Sequence, residues 1–433
     1  MKNFGLKILQ RILKKLAQMT IRRYRPTVVG VTGSVGKTST KLAIAQVLGS
    51  ERQARYSRGS LNNQFGLPLT ILGEWSHKEL KLVSKLEPAG IKRISKAMFW
   101  LKVVLLGALR WASGRVKYPE VLILEYGVDR PGDMKYLLEI AKPNIGVITA
   151  IGDIPVHVEF FDGPLALAQE KVRLIESLPP GGFAVLNHDD NTVARFKGRT
   201  RARVITFGFG PGADIRIAEF KNRVEGNARG REKRLAGISF KLACAGGDIP
   251  IKLDGLFGKA QAYAGAAAAA IGLLFEMQPN KITEALKTYH GAPGRMELVP
   301  GVKHTYLIDD SYNASPLSMH AALHTLGDLP GKRKIAVLGD MLELGAYTIE
   351  AHEIIGRLAV RIADILVTVG SRAKFIAEAA KKAGMPKRSV YVFDEPEEAG
   401  RGVQDLMRRG DLVLIKASRA MHLEKVVEEL RAF

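Results

Sequence analysis

Eleven consecutive residues, Gly30-Val-Thr-Gly-Ser-Val-Gly-Lys-Thr-Ser-Thr40, combine glycines, a lysine and hydroxyl side chains at a spacing suited to phosphate chemistry. The apolar run Thr27-Val-Val-Gly30 precedes them and a helical pattern from Lys41 to Leu48 follows, so the stretch reads as strand, glycine turn and helix. Such a turn aims backbone N–H groups and the positive end of a helix at a bound phosphate. Lys37 can reach the terminal phosphates, and the Thr38 hydroxyl can hold Mg²⁺. The strict G-x-x-x-x-G-K-[ST] spacing would need glycine at position 31; Val31 stands there, leaving the shorter T-G-x-x-G-K-T form. The expected ligand is ATP, contacted by Thr32, Gly33, Ser34, Gly36, Lys37, Thr38 and Ser39.

Four further groups of polar residues follow apolar strands. Glu125, in Leu124-Glu-Tyr-Gly127, closes one strand; ligands of open α/β sheets bind at that end, where a carboxylate can complete a Mg²⁺ shell with Thr38. By itself a strand-end Glu is more often a cap or salt-bridge partner. His157 lies in a loop past the next strand and Lys171 on the helix Pro164–Ser177; spacing alone would select neither. The run Asp309-Asp-Ser-Tyr-Asn-Ala-Ser-Pro316 suits nucleotide or metal contacts, and also ordinary turn and cap chemistry. The same dual reading holds for Gly339-Asp-Met-Leu-Glu-Leu-Gly345, with His352 on the following helix.

The elements that must carry these residues alternate. Strands are expected at 27–31, 121–125, 145–149, 183–186 and 203–207 with helices between several of them, then short antiparallel strands over 213–257 and an alanine-rich helix, Ala260 to Phe275. The pattern restarts near Ala292-Pro-Gly-Arg295, with strands at 305–309, 335–338, 365–369, 390–393 and 412–415 between helices at 316–326, 348–362, 372–384 and 397–408. Continuous apolar strands alternating with helices predict mostly parallel sheets covered on both faces. The fold class is therefore α/β. It divides into a basic amphipathic helix over 1–25, an ATP-binding central domain over 26–292 with a basic helical insertion at 75–118, and a Rossmann-like C-terminal domain over 293–433. A chain of 433 residues is long enough for such a division.

Composition narrows the partners. The single cysteine, Cys244, excludes an internal disulfide framework and any Cys-built metal site and fits a reducing cytosol. Of the formal net charge of +22, residues 1–25 supply +8 with no acid, and residues 75–118 another +8. All three tryptophans, Trp75, Trp100 and Trp111, sit in the second segment. Basic helices with Trp and Leu suit contact with an anionic membrane surface. A solvated basic face is an equal reading. Nucleic acid is not expected, since no recognition motif accompanies the charge.

These residues together resemble the Mur ligases over about 27–75 and 119–433. The likeness rests on the phosphate loop, Leu61-Asn-Asn-Gln-Phe-Gly-Leu-Pro-Leu-Thr70, Glu125-Tyr-Gly-Val-Asp-Arg-Pro-Gly-Asp133, Pro293-Gly-Arg-Met-Glu297, the 309–316 and 339–345 runs, and Lys416-Ala-Ser-Arg419. Within the family it is most similar to the members that join D-Ala-D-Ala to a UDP-N-acetylmuramoyl-tripeptide. The resemblance implies cytoplasmic cell-wall precursor synthesis in which ATP phosphorylates a carboxylate and an amine displaces the phosphate. It implies two Mg²⁺ ions, one held by Thr38 and Glu125 and one by His157 and Lys171, with Lys171 carbamylated. Lys37, His157 and Lys171 would be catalytic. Gln261, Arg295, Asp310 and Asn313 would contact the nucleotide; Asn62, Asn63, Lys416 and Arg419 would contact the nucleotide-sugar peptide and the dipeptide. A monomer is expected.

The chain departs from the pattern in three ways. Only the basic helix stands where that branch has a UDP-sugar-binding domain, and the 75–118 insertion replaces a short connection. Gly258-Lys-Ala-Gln261 lacks the family's His and Asn, and Ser315 stands for the usual Asn before Pro316. Residues 1–25 and 75–118 are expected to pack on one another, their charge suiting a pyrophosphate-bearing substrate or a membrane. A related ligase with another acceptor, polyglutamate-like or lipid-linked, is the alternative, followed by an ATPase without ligase activity.

Overall fold

The computed structural model describes residues 2–57, 59–82, 93–113, 117–226 and 233–432. Part of the basic insertion, including Lys85, Glu87, Lys92 and Arg115, lies outside the described residues.

The first sheet has nine strands: β1 (Thr27–Thr32), β2 (Ala54–Tyr56), β3 (Val121–Glu125), β4 (Ile145–Ile148), β5 (Phe183–Asn187), β6 (Arg203–Gly208), β7 (Ile215–Gly226), β8 (Lys233–Cys244) and β9 (Gly247–Asp254), in the order β2-β3-β1-β4-β5-β6-β7-β8-β9. All pairings from β2 through β7 are parallel, while β7–β8 and β8–β9 are antiparallel. The antiparallel strands expected over 213–257 are therefore no separate patch but the continuation of the parallel sheet. Their alternation survives in β9, whose residues run exposed and buried in turn. The second sheet, of β10 (Glu297–Gly301), β11 (Thr305–Asp309), β12 (Lys334–Gly339), β13 (Ile365–Val369), β14 (Val390–Phe393) and β15 (Leu412–Lys416), has the order β10-β11-β15-β12-β13-β14. Only the β10–β11 pair in it is antiparallel.

Helices before and within the first sheet are α1 (Lys2–Tyr24), α2 (Lys37–Gly49), α3 (Gly66–Leu72), α4 (His77–Lys81), α5 (Arg93–Ser113), α6 (Asp133–Ile140), α7 (Pro164–Glu176), α8 (Asn191–Ala194), α9 (Lys259–Leu274) and α10 (Pro279–Lys287). Those of the second are α11 (Pro316–Asp328), α12 (Thr348–Ala359), α13 (Lys374–Lys382), α14 (Pro396–Leu406) and α15 (Glu424–Leu430). One buried apolar cluster runs from Val29 and Val31 through the alanines of α9 to Met319 and Leu323 of α11 and Leu338 of β12, so the two sheets share a core.

The helices α1 and α5 do pack on each other, as expected. Leu13, Leu69, Leu72, Trp75, Phe99 and Val103 form their common cluster, and the Tyr24 hydroxyl donates to the Arg110 carbonyl at 2.9 Å. Along α1, Leu13 is fully buried, whereas its neighbour Ile12 is 40% exposed and turned outward.

What positions the site is the order around β1. Its neighbours β3 and β4 lie on opposite sides, so chain connections leave in opposite directions and open a crevice at the carboxyl ends of these strands. The phosphate loop, Glu125 and the loop after Ile148 all emerge there.

Candidate functional site

The phosphate loop is shaped by two residues in the left-handed region, Gly33 (φ +144°) and Gly36 (φ +89°), which a side chain would strain. A Cβ at Gly33 would also sit 2.1 Å from Thr149 Oγ1. Gly36 leads directly into α2, so the loop ends at the helix N-terminus. Lys37 Nζ folds back to donate to the Gly33 carbonyl at 2.8 Å. Burial pushes its ammonium below the ordinary value and Arg295 adds to this, against the attraction of Glu125.

Glu125 sits 1% exposed at the end of β3. Thr38 Oγ1 lies 3.3 Å from its Oε2, and the Asn62 amide donates to its Oε1 at 3.2 Å. Lys41, fully buried, reaches Oε2 at 2.9 Å and also donates to the Gly59 carbonyl at 2.6 Å. Burial raises the carboxyl, but the Lys41 and Lys37 charges and the bonds from Lys41 and Asn62 outweigh it and hold Glu125 below the ordinary carboxylate value. Sequence reasoning missed Lys41. The signal was present, because Lys41 follows Lys37 by four residues and Thr38 by three and so shares their helix face. Gly127 lets the Asn62 loop close in: its N–H donates to the Asn62 carbonyl at 2.8 Å, and a Cβ there would meet the Asn62 side chain at 2.7 Å. Asn63 has a different task. Its Oδ1 accepts from the N–H groups of Phe65 and Gly66 and starts α3.

His157, in the left-handed region at φ +73°, joins the two halves of the molecule. Its Nε2 is 3.4 Å from Asp129 Oδ1, and its Nδ1 is 2.5 Å from Glu343 Oε2 in ion-pair contact, at an angle that makes no hydrogen bond. Lys171, on α7, is 1% exposed. Burial, then the nearby Lys37 charge, push its amine well below the ordinary value, against Asp129, Asp133 and Glu170. Asp129 thus faces both expected ligands of a second ion. As a free amine Lys171 offers no anionic oxygen, and no group of three His, Cys, Asp or Glu placed to hold a metal occurs among the described residues. The Thr38–Glu125 oxygen pair fits a divalent cation; the His157–Lys171 pair fits one only if the amine becomes a carboxylate.

The C-terminal half brings the 309–316 loop over the phosphate loop. A cleft of about 170 Å³ is lined by Ser34, Lys37, Thr38, Asn62, Glu125, His157, Arg295, Tyr312, Asn313 and Arg419 among others. The guanidinium groups of Arg295 and Arg419 lie 4.3 and 5.3 Å from the Tyr312 ring centre, an arrangement that fixes both cations. Besides His157 Nδ1, two polar atoms of residues lining this cleft, Ser34 Oγ and Arg295 Nε, are buried without a hydrogen-bond partner. Buried donors are rarely left so, and an anionic oxygen would satisfy both.

Other expected contacts turn inward. Lys416 is fully buried, donating to Asp310 at 2.6 Å and to the Asn313 carbonyl at 2.8 Å, so it braces the loop rather than facing an incoming carboxylate. Asn313 Oδ1 accepts from the Ala314 and Arg419 N–H groups. Gln261 donates to the Arg295 carbonyl at 2.8 Å and its Oε1 is 3.4 Å from the Tyr289 hydroxyl. Ser315 caps α11 reciprocally with Ser318, the job its position before Pro316 suggests. His352 is likewise structural, accepting from the Met341 N–H and contacting the Thr348 carbonyl.

Burial raises the Asp310 carboxyl and lowers the Lys416 amine, each against the other's attraction. Removing one charge strands the other. Lys416→Met is expected to cost about 3–5 kcal/mol of stability, whereas the double change Asp310→Leu/Lys416→Met costs far less. Urea unfolding of the three proteins checks this, and equal losses in the single and double variants would contradict it.

A larger cavity of about 590 Å³ adjoins the cleft, sharing Val35 and Gly36 with it. Asn187, Asp189, Lys259, Tyr263, His320 and His324 line it, and sequence reasoning gave none of them a role. Only the His320–His324 spacing of four on α11 hints at a shared face.

Comparison with known proteins agrees with this geometry. The Mur ligase middle domain matches residues 110–272, and the Mur ligase glutamate ligase domain matches residues 294–419. The UDP-N-acetylmuramoyl-tripeptide–D-alanyl-D-alanine ligase of Mycobacterium tuberculosis is 31% identical over 431 residues, covering 94% of this chain and 73% of that one. That of Bacillus subtilis is 29% identical over 420 residues, covering 96% and 79%. The crystal structure of MurF ligase from Thermotoga maritima in complex with ADP superposes with a TM-score of 0.76 at 26% identity, covering 97% of this chain and 83% of that one. The chain belongs to the Mur ligase family.

Proposed function

We propose that the protein is an ATP-dependent, ADP-forming ligase that joins D-Ala-D-Ala to a UDP-N-acetylmuramoyl-tripeptide through an acyl phosphate. The supporting observation is the cleft in which Lys37, the unpartnered Ser34 and Arg295 donors and the Thr38–Glu125 oxygen pair converge. Phosphoryl transfer needs little covalent help from a protein; it needs positioning and positive charge around the moving group. Lys37 would leave the Gly33 carbonyl for the phosphate oxygens. Arg295, carried by the C-terminal half, would supply a second cation when the two halves close. The nucleoside would occupy the 590 Å³ cavity, which opens beside the same loop.

Mg²⁺ would be held by Thr38 and Glu125, with a second ion at His157 and a carbamylated Lys171, and would neutralise phosphate charge. In this reading residues 26–292 would bind ATP and residues 293–433 would bring Arg295 and the Tyr312 loop to it. Arg419, half-exposed beside Tyr312, suits the carboxylate of the incoming dipeptide. Asn62, whose amide donates to Glu125, would contact the acceptor.

The test is phosphate release from ATP with UDP-N-acetylmuramoyl-tripeptide and D-Ala-D-Ala, each omitted in turn. Release that requires both is expected. Release with only another acceptor or amine would redirect the specificity, and hydrolysis indifferent to both would end the ligase reading.

A further inference from the structure

The outer faces of α1 and α5 do not look like ordinary surface. On α5, Phe99 and Val103 are buried, yet Met98, Leu101, Leu105 and Leu109 are 65, 59, 53 and 59% exposed. Their spacing of three, four and four residues sets them in one stripe on the side turned away from the packed cluster. A helix apolar on both sides needs cover on both. On α1, Ile8 and Ile12 likewise point outward, 43 and 40% exposed, with Arg11 and Lys15 exposed beside them.

Charge identifies the cover. The helix α1 contains seven Lys or Arg and α5 four, with no Asp or Glu in either. Lys14 and Lys102 are spent on Glu139 and Glu79, but Lys7, Arg11, Lys15, Arg22 and Lys96 are exposed and have no acidic partner among the described residues. A second copy of this chain would bring its own basic face to the contact and be repelled. Nucleic acid would satisfy the cations and leave the leucines in water. An anionic bilayer surface answers both, taking Leu and Met between acyl chains and Lys and Arg among headgroups.

We propose that α1 and α5 form a preassembled platform that seats the protein on an anionic membrane surface. The platform lies on the bilayer and does not span it: among the described residues no helix is long and apolar enough to cross, and Lys102 and Arg110 interrupt α5. It is fixed to the catalytic body. Trp75 Nε1 donates to the Leu69 carbonyl at 2.8 Å, the Arg110 guanidinium donates to the Leu72 carbonyl, and Tyr24 stacks on Tyr118 with ring centres 4.5 Å apart. Trp111, 47% exposed at the end of α5, suits the headgroup level.

The experiment is co-sedimentation of the full chain with vesicles of phosphatidylcholine alone or with one-third phosphatidylglycerol. Binding to the anionic vesicles at least about tenfold tighter than to the neutral ones is expected, weakening as salt rises. The double variant Leu101→Gln/Leu105→Gln should lose most of that binding with ATP turnover unchanged, since neither residue lines the cleft. Equal recovery with and without anionic vesicles would overturn the proposal. So would binding indifferent to the glutamines, or a concentration-dependent dimer that the same substitutions dissolve.

Discussion

Replacing Lys37 by methionine is expected to slow ADP formation by about 10²–10³-fold with little change in Tm. The ammonium sits inside the phosphate loop, bound to the Gly33 carbonyl at 2.8 Å and pushed toward its neutral form by burial. A buried cation held by a carbonyl dipole is a poor bargain for stability, so methionine, of similar length and no charge, gives little away in the folded protein. The loss falls on the reaction. In the transferring phosphoryl group charge spreads over oxygens that no solvent reaches, and a positioned ammonium acts more strongly there than in water. Glu125 keeps Lys41 at 2.9 Å, so its carboxylate survives the substitution. Nucleotide affinity should fall less than turnover, because backbone N–H groups of the loop still bind. Single-turnover rates and a thermal melt decide the matter. A variant within tenfold of the parent rate, or one that fails to fold, would show that Lys37 is a structural brace.

Much of this site was legible because glycine, lysine and threonine in a strand-turn-helix setting have few other uses. Lys37, Thr38 and Glu125 meet as spacing and strand ends imply, and the two sheets follow from alternation of apolar runs and helices. Three things were not legible. The first is which polar residues face inward. Asn63, Asn313 and Lys416 stand in the right runs, yet their side chains cap a helix or brace a loop, since a tight turn must satisfy its own backbone before it can serve a ligand. The second is pairing across distance. Asp129 and Glu343 flank His157 from opposite halves of the molecule, and no local pattern encodes a contact between residues so far apart. The third is the 590 Å³ cavity, whose walls come from β5, β6, α9 and α11 and exist only once the two sheets share a core. The antiparallel strands β7 to β9 were recognised as strands but not as part of the main sheet, because register between sheets depends on edges rather than on periodicity.

Lys171→Ala should reduce turnover by about 10²–10³-fold and, unlike Lys37→Met, should recover part of it in added acetate. Lys171 is 1% exposed, and the loss of water together with the Lys37 charge lowers its amine well below the ordinary 10.5. A neutral amine is a nucleophile: it can attack CO₂, forming a C–N bond and releasing one proton, so that R–NH₂ becomes R–NH–COO⁻. The product is an anion beside Lys37, where the free ammonium was repelled. The carbamate would also add an oxygen donor in the field of Asp129, which contacts His157, and a divalent cation could then be held there. Deleting the side chain to alanine leaves room for a small carboxylate to take the place of the lost one, whereas no carboxylate replaces a cation at Lys37. Stability provides an independent reading. With the folded value below the unfolded one, the unfolded chain takes up a proton that the folded chain refuses. The free-amine form therefore loses stability as pH falls below 10.5 toward the folded value. Bicarbonate should raise the Tm of the parent at neutral pH and leave that of Lys171→Met unchanged. If bicarbonate moves neither protein and acetate restores nothing, Lys171 acts as a buried amine and the second cation has no ligand there.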